Sequence, residues 1–157
     1  MSAQRNTTMD RWSHLSRTEL IGAGRTLVTE RLEGLGCTVT PPRSLIGGTL
    51  EVTTPSGRSL QVFVSTQRLG GYVFWAKRRF QPDSDRFAAV VLLSDAEDPA
   101  LYLVPSTEWR NPRLPLKDRP NIGKRSEPEY GISLARSSLP ALARYSWDDG
   151  SADPRFS

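Results

Sequence analysis

Cysteine and histidine are nearly absent from this chain of 157 residues, which contains one of each. Because a disulfide needs two cysteines, Cys37 cannot form one within the chain, and a lone thiol fits a reducing compartment. Zinc sites are built mainly from several Cys and His ligands, so a zinc centre is excluded. A Ser-His-Asp or Cys-His catalytic site would depend on His14, and no other feature of the sequence supports one.

Long apolar segments are also missing. No run approaches the roughly 18 apolar residues that a membrane-spanning helix needs. The opening residues, MSAQRNTTMDRW, lack the apolar centre of a secretory signal. We therefore expect no membrane partner and a cytoplasmic location. Twelve prolines and twelve glycines predict many turns.

The formal net charge of +4 is modest. It fits a nucleic-acid partner, an acidic protein partner, or a domain whose charges simply face solvent. The densest basic run is AKRRF, and no helix-turn-helix, zinc-finger or RNA-recognition pattern accompanies it. The candidates for a phosphate-facing surface are Arg43, Arg68, Lys77, Arg78, Arg79, Lys124 and Arg125; the alternative is that they lie on solvated loops and strand ends.

One long helix is predicted near the start of the chain. Ser16 and Glu19 form a capping-box pattern, and apolar residues then recur at helical spacing until about residue 34. Gly36 is a plausible C-terminal cap. Strands are predicted in CTVT, TLEVTT, SLQVFVSTQ, GGYVFWAKRRF, RFAAVVLLSD, ALYLVP and EYGISL, and a short late helix in SSLPALARYSW. This order predicts an α/β or α+β fold, with one mixed central sheet, the long helix packed on it and a short C-terminal helix.

The segment from Thr18 to Trp109 resembles the PD-(D/E)xK superfamily, which has the restriction-endonuclease-like fold. The resemblance covers about 90 of the 157 residues. It rests on the order and spacing of LEGLG, GTLEV, PSGRSLQVFVST, FWAKRRF, DRFAAVVLLSD and LYLVPSTEW. In that family two carboxylates hold a divalent ion, usually magnesium, and a lysine beside them helps to activate water.

The resemblance places the family's active-site positions on residues that cannot perform this chemistry. The helical glutamate position falls near Arg25, the aspartate position on Leu50, the second acidic position on Phe63, and the lysine position on Ser65. The resemblance therefore implies that Leu50, Phe63 and Ser65 form a cluster near the long helix. Leucine and phenylalanine cannot bind a metal, and serine lacks the charge of lysine. We therefore expect no metal and no cofactor, unless Glu51 and Lys77 act as relocated active-site residues with magnesium.

The composition predicts a flexible, polar segment over residues 1–15, a basic, proline-rich loop over 110–128 and a polar tail over 148–157. The resemblance implies that residues 16–147, which contain this loop, form one nuclease-like domain. We expect a catalytically inactive nuclease fold that acts as a nucleic-acid-binding or regulatory module, with DNA favoured over RNA. One alternative is a protein-interaction module, such as an immunity protein, an antitoxin-like partner or a phage-defence accessory. The other is a metal-dependent nuclease with relocated residues.

Overall fold

The computed structural model describes residues 12–42, 49–68, 70–94, 97–147 and 153–157. Its class is α+β, as predicted, with a mixed central sheet, one long helix and a short C-terminal helix. The helices are α1 (Arg17–Gly34) and α2 (Leu139–Leu142). The strands are β1 (Thr38–Thr40), β2 (Thr49–Thr53), β3 (Ser59–Gln67), β4 (Tyr72–Ala76), β5 (Arg86–Leu92), β6 (Ala100–Pro105), β7 (Leu116–Arg119) and β8 (Glu129–Ser133). Short 3-10 turns follow at Ser106–Arg110, Arg136–Ser138, Ala143–Tyr145 and Pro154–Phe156.

The central sheet has five strands in the order β1-β2-β3-β5-β6. Strands β3 and β5 are parallel, and the other neighbours are antiparallel. The apolar run of β5 is buried along nearly its whole length, as expected for a strand covered on both faces. This strand pairs on both sides and places the centre of the sheet between two apolar layers.

Helix α1 covers one face of the central sheet. The Ser16 hydroxyl accepts a hydrogen bond from the Glu19 amide (3.1 Å), and the Glu19 carboxylate accepts one from the Ser16 amide (2.9 Å), so the predicted capping box is confirmed. Leu35 caps the C-terminus of the helix, and Gly36 follows with a φ of +88°, which a glycine adopts without strain. Leu20, Val28 and Leu32 of the helix are part of the core.

The opposite face of the central sheet is covered by a second sheet that the sequence did not predict. It has three antiparallel strands in the order β4-β8-β7. The expectation of one sheet is therefore incomplete, since the strand predicted in GGYVFWAKRRF belongs to this second layer. The basic, proline-rich loop predicted over 110–128 contains a strand that was not predicted, since Leu116–Arg119 form β7. That strand is only four residues long, and its pairing with β8 is not visible in its own composition.

Two apolar clusters lie on the two faces of the central sheet. The first lies between the sheet and α1, and it includes Leu50 and Val62. The second lies between the two sheets, and it includes Phe63. At its centre Phe80 meets the rings of Phe63 and Trp109, with centroids 5.0 and 5.2 Å apart. The fold is thus three layers: helix, five-stranded sheet and three-stranded sheet.

The ends of the described chain are part of the core rather than loose. Of the predicted flexible segment, residues 1–11 lie outside the described residues, but Trp12 is buried beside α1. Of the predicted polar tail, residues 148–152 lie outside, but the Phe156 side chain is fully buried. Its ring lies 5.7 Å from Trp147 and 5.4 Å from Phe87. The C-terminal segment is part of the core because burial of the Phe156 ring stabilises the fold, although the neighbouring residues are polar.

Candidate functional site

The two strands of the nuclease-like hairpin place Leu50 and Phe63 on opposite faces of the sheet. Leu50 pairs with Val62, whereas Phe63 pairs with Thr49. Leu50 therefore points toward α1, while Phe63, and with it Ser65, belongs to the other face. The expected grouping of Leu50 with Phe63 and Ser65 is wrong, because the observed register of the hairpin differs by one residue from the one that grouping requires.

The same register brings Glu51 onto the face that carries Phe63. Glu51 lies opposite Gln61, whose amide nitrogen is 3.4 Å from a carboxylate oxygen of Glu51. The Arg86 guanidinium donates two hydrogen bonds to the Gln61 side-chain oxygen, at 2.9 and 3.0 Å. These residues, with Asp83 and Asp85, line a shallow depression of about 290 Å³. Gln61, Arg86 and the two aspartates were not singled out from the sequence, since only the register places them beside Glu51.

Lys77, the other candidate for a relocated catalytic role, is engaged in the second sheet. Its ammonium group is 2.6 Å from the Asp118 carboxylate and 4.7 Å from the centroid of the Tyr130 ring. It does not line the depression that contains Glu51. Among the residues that the structure describes, no group of three or more His, Cys, Asp or Glu is arranged to hold a metal ion. The structure therefore does not bring Glu51 and Lys77 together as one site.

Arg25 lies in α1, on the opposite side of the central sheet from Phe63 and Ser65. Partial burial lowers the pKa of its guanidinium, which still leaves the group charged at neutral pH. The residue that the resemblance placed at a catalytic position thus belongs to the helix layer and shares no surface with Phe63 and Ser65.

Two of the predicted phosphate-facing residues are not part of any described basic surface. Arg43 lies outside the described residues. The Arg68 guanidinium donates hydrogen bonds to the backbone oxygens of Trp12 (2.7 Å) and Leu15 (3.3 Å). Arg68 thus fastens the segment before α1 to the end of β3, which is a structural role.

The remaining predicted basic residues gather at one end of the second sheet. Strand β4 ends just before Lys77. The Lys77 amide donates a hydrogen bond to the Pro128 carbonyl oxygen (2.9 Å), so the segment between β7 and β8 lies beside the end of β4. We call this region the basic end and define it by five residues: Arg78, Arg79, Arg119, Lys124 and Arg125. Arg119, the last residue of β7, was missed from the sequence because its segment was predicted to be an irregular loop.

The charges of the basic end are only partly neutralised. Arg78 forms an exposed ion pair with Glu127 at 2.6 Å, and this contact raises the pKa of the arginine and lowers that of the glutamate. Arg79, Lys124 and Arg125 are exposed, and no carboxylate in the described part of the chain forms an ion pair with them. Three cations are therefore open to an anionic partner.

A cleft of about 220 Å³ adjoins the basic end, between strands β3 and β4. Phe63, Phe74 and Trp75 contribute aromatic surface to its lining, and Arg78 and Arg79 contribute charge. Phe63, which the resemblance placed at an acidic position, thus forms part of an apolar wall. The cleft offers stacking surface and positive charge, and none of the described residues that line it is a carboxylate.

Comparison with protein-family models, with curated proteins and with solved structures found no match. The helices of the described segments are all too short or too polar to cross a membrane. The cytoplasmic location and the membership in the restriction-endonuclease-like family stay predictions.

Proposed function

We propose that this protein binds nucleic acid without cleaving it, through the basic end and the adjoining cleft. The observation that carries the proposal is that Arg79, Lys124 and Arg125 are exposed and unneutralised at the same end of one sheet. Contacts between Lys or Arg and phosphate supply most of the non-specific affinity of proteins for nucleic acid. The adjoining aromatic cleft adds surface on which bases can stack.

The absence of cleavage follows from the side chains at the nuclease-like positions. Metal-assisted hydrolysis of a phosphodiester needs carboxylate oxygens around a divalent ion and a group that activates water. Phe63 and Ser65 offer neither. Glu51 lies opposite Gln61 and shares its depression with Asp83 and Asp85, but no group of three or more His, Cys, Asp or Glu in the described part of the chain is arranged to hold a metal ion. The protein therefore holds its partner rather than cutting it.

Fluorescence anisotropy with labelled DNA and RNA oligonucleotides tests the proposal. We expect binding at low salt that weakens as salt increases, because each phosphate contact releases counterions. A triple variant, Arg79→Glu, Lys124→Glu and Arg125→Glu, should lose at least about tenfold in affinity, since it removes three attractive charges and adds three repulsive ones. Arg17→Glu, an exposed charge reversal in the first turn of α1, changes the net charge as much as Arg79→Glu alone. It is the matched control for that single variant and should bind as the wild type does, whereas Arg79→Glu should weaken binding. No binding at low salt, or an equal loss in the control, would sink the proposal.

A second candidate function is a protein-interaction module, and one exposed side chain favours it. Ile122 lies in the turn between β7 and β8 and is 87% exposed, beside Lys124 and Arg125. An apolar side chain flanked by cations would suit an acidic protein partner with a small apolar pocket. In that case a stoichiometric partner would co-purify with the wild type, would be lost with Ile122→Asp, and would be retained with Leu114→Asp, which alters another exposed apolar residue.

A further inference from the structure

The face of the three-stranded sheet that points away from the core carries aromatic and basic side chains. Along β4 the side chains alternate, so Val73 and Trp75 contribute to the core, while Tyr72 and Phe74 point outward. The pairing of β4, β8 and β7 places Gly131 and Lys117 in line with Phe74, and it places Arg119 at the end of the same face. We call this surface the outer face and define it by Tyr72, Phe74, Lys117, Arg119 and Gly131.

The Tyr72 ring packs between Gly131 and the Arg119 side chain on this surface. The ring lies over Gly131, so closely that a side chain there would put a Cβ atom 2.0 Å from the Tyr72 hydroxyl oxygen. The Arg119 guanidinium lies 4.0 Å from the ring centroid on the outer face. Burial and then the nearby Glu129 carboxylate raise the pKa of Tyr72 to about 12. Tyr72 is thus covered, and the Arg119 guanidinium forms the surface above it.

Phe74 is the aromatic residue of the outer face whose ring is exposed to solvent. Its side chain is 58% exposed, in the middle of a strand rather than on a loop. The ring is nearly parallel to Tyr72, with centroids 5.9 Å apart and 19° between the ring planes. Gly131, its partner on β8, has no side chain, and the Tyr72 ring occupies the space above it beside Phe74. Phe74 also lines the cleft beside Arg78 and Arg79, so it joins the outer face to the basic end.

From this geometry we infer that the outer face is a stacking platform for single-stranded nucleic acid, an inference that rests on the proposed function. Bases of a single strand are free to stack on an aromatic ring or a guanidinium plane, whereas bases in a duplex are already stacked on one another. Phe74 and Arg119 supply the two stacking planes. Lys117 and the basic end supply charge for the backbone. Glu129 is the carboxylate that the strand pairing places on this face among the described residues, and it is only 8% exposed, so it offers little accessible negative charge.

Measurements of affinity for single strands and duplexes of equal length test this inference. We expect the wild type to bind the single strand at least about tenfold more tightly. Phe74→Ala should weaken binding to the single strand about tenfold while leaving its salt dependence unchanged, because stacking rather than charge is lost. Phe74→Trp should retain the affinity. Because the chain has four other tryptophans, the signal is the difference from the wild type, and binding should quench the fluorescence of Phe74→Trp more than that of the wild type. Leu114→Ala, at another exposed apolar residue, is the control and should change nothing.

The outcomes separate this inference from the proposed function. Equal affinity for single strand and duplex, or an unchanged affinity in Phe74→Ala, would overturn the platform. If the triple charge variant at Arg79, Lys124 and Arg125 still lost affinity in that case, nucleic-acid binding by the basic end would stand. If the triple variant bound as well as the wild type, the proposed function itself would fail. Thermal melts of each variant by circular dichroism exclude loss of folding as the cause.

Discussion

Gly24 of helix α1 and Thr66 of strand β3 are in such close contact that the glycine has no room for a side chain. A Cβ atom at position 24 would lie 1.7 Å from the Thr66 hydroxyl oxygen and 2.7 Å from its Cβ atom. The threonine is itself buried, so it has little freedom to move away. This contact sets how closely the helix approaches the central sheet.

Gly24→Ala should therefore destabilise the protein, although alanine is the better helix former. Overpacking a well-packed contact costs about 1–3 kcal/mol, which exceeds the gain in helix propensity of about 1 kcal/mol. Gly22→Ala is the matched control in the same helix, because nothing lies within 4 Å of a Cβ atom built there. We expect urea denaturation to show lower stability for Gly24→Ala and unchanged or higher stability for Gly22→Ala. Higher stability in both would mean that the helix lies further from β3 than described.

The environment of Tyr145 predicts that the free energy of unfolding decreases at alkaline pH. Burial and then a 2.7 Å hydrogen bond to the Glu108 carboxylate raise the pKa of this phenol to about 12. A phenol that holds its proton more tightly in the folded protein contributes stability that is complete below pH 10 and is lost between pH 10 and 12. Two pKa units correspond to about 2–3 kcal/mol. Tyr72, also with a pKa of about 12, contributes in the same window.

Tyr145→Phe should consequently have a shallower decline of stability between pH 10 and 12. The remaining decline comes from Tyr72 and Tyr102, whose pKa values are also raised by burial. At neutral pH it should be less stable by about 1 kcal/mol, because the hydrogen bond to Glu108 is lost. Urea denaturation at several pH values measures both effects. If the free energy of unfolding fell equally between pH 10 and 12 in the wild type and the variant, the Tyr145 hydroxyl would not be buried against Glu108.

Phe156 should be among the residues that hold the helix layer to the sheet. Its side chain is fully buried against Trp147 and Phe87, so Phe156→Ala should cost about 3–5 kcal/mol. Phe74→Ala removes the same atoms from an exposed site, and there we expect a cost below about 1 kcal/mol. Thermal melts of the two variants provide the comparison. Equal melting temperatures would place the Phe156 ring in solvent, as a polar tail would predict.

We expect no cleavage of DNA or RNA in magnesium or manganese. Glu51 lies opposite Gln61 in the central sheet, and Lys77 is paired with Asp118 in the second sheet, so the two do not form a common metal site. Incubation of plasmid and single-stranded substrates with purified protein, followed by gel electrophoresis, measures this. Metal-dependent cleavage that disappears in Glu51→Ala would contradict the account and would restore a nuclease with relocated residues.

The sequence predicted the elements whose signals are local. Helix α1 has a capping box and a long apolar period, and β5 is a continuous apolar run, so both were predicted correctly. The register of β2 against β3 was not predictable to one residue, and an error of one residue moves a side chain to the other face. That error placed Leu50 on the same face of the sheet as Phe63 and placed Glu51 on the opposite face, whereas Glu51 in fact shares the face of Phe63. The spacing of a motif therefore did not determine which side chains share a surface.

The second sheet could not be predicted from the sequence, because its strands pair with partners that are distant in the chain. Strand β4 pairs with β8 rather than with a neighbour in the chain, and β7 contains one apolar residue in four. Without that pairing, Arg119 has no visible relation to Tyr72, and Lys124 none to Arg78. The basic residues themselves were identified from the sequence, but only the fold separates Arg68, which fastens the segment before α1, from Arg79, which faces solvent.

The salt dependence of nucleic-acid binding tests the central claim most directly. The affinity of the wild type for a single-stranded oligonucleotide is measured over a range of salt concentrations and compared with that of the triple variant at Arg79, Lys124 and Arg125. Each phosphate contact contributes about −0.7 to the slope of log affinity against log salt for single strands, so the loss of three contacts should make that slope less negative by about 2. Weaker binding with this change in slope is the result that the account predicts. Equal slopes for the two proteins, or no binding at low salt, would contradict it.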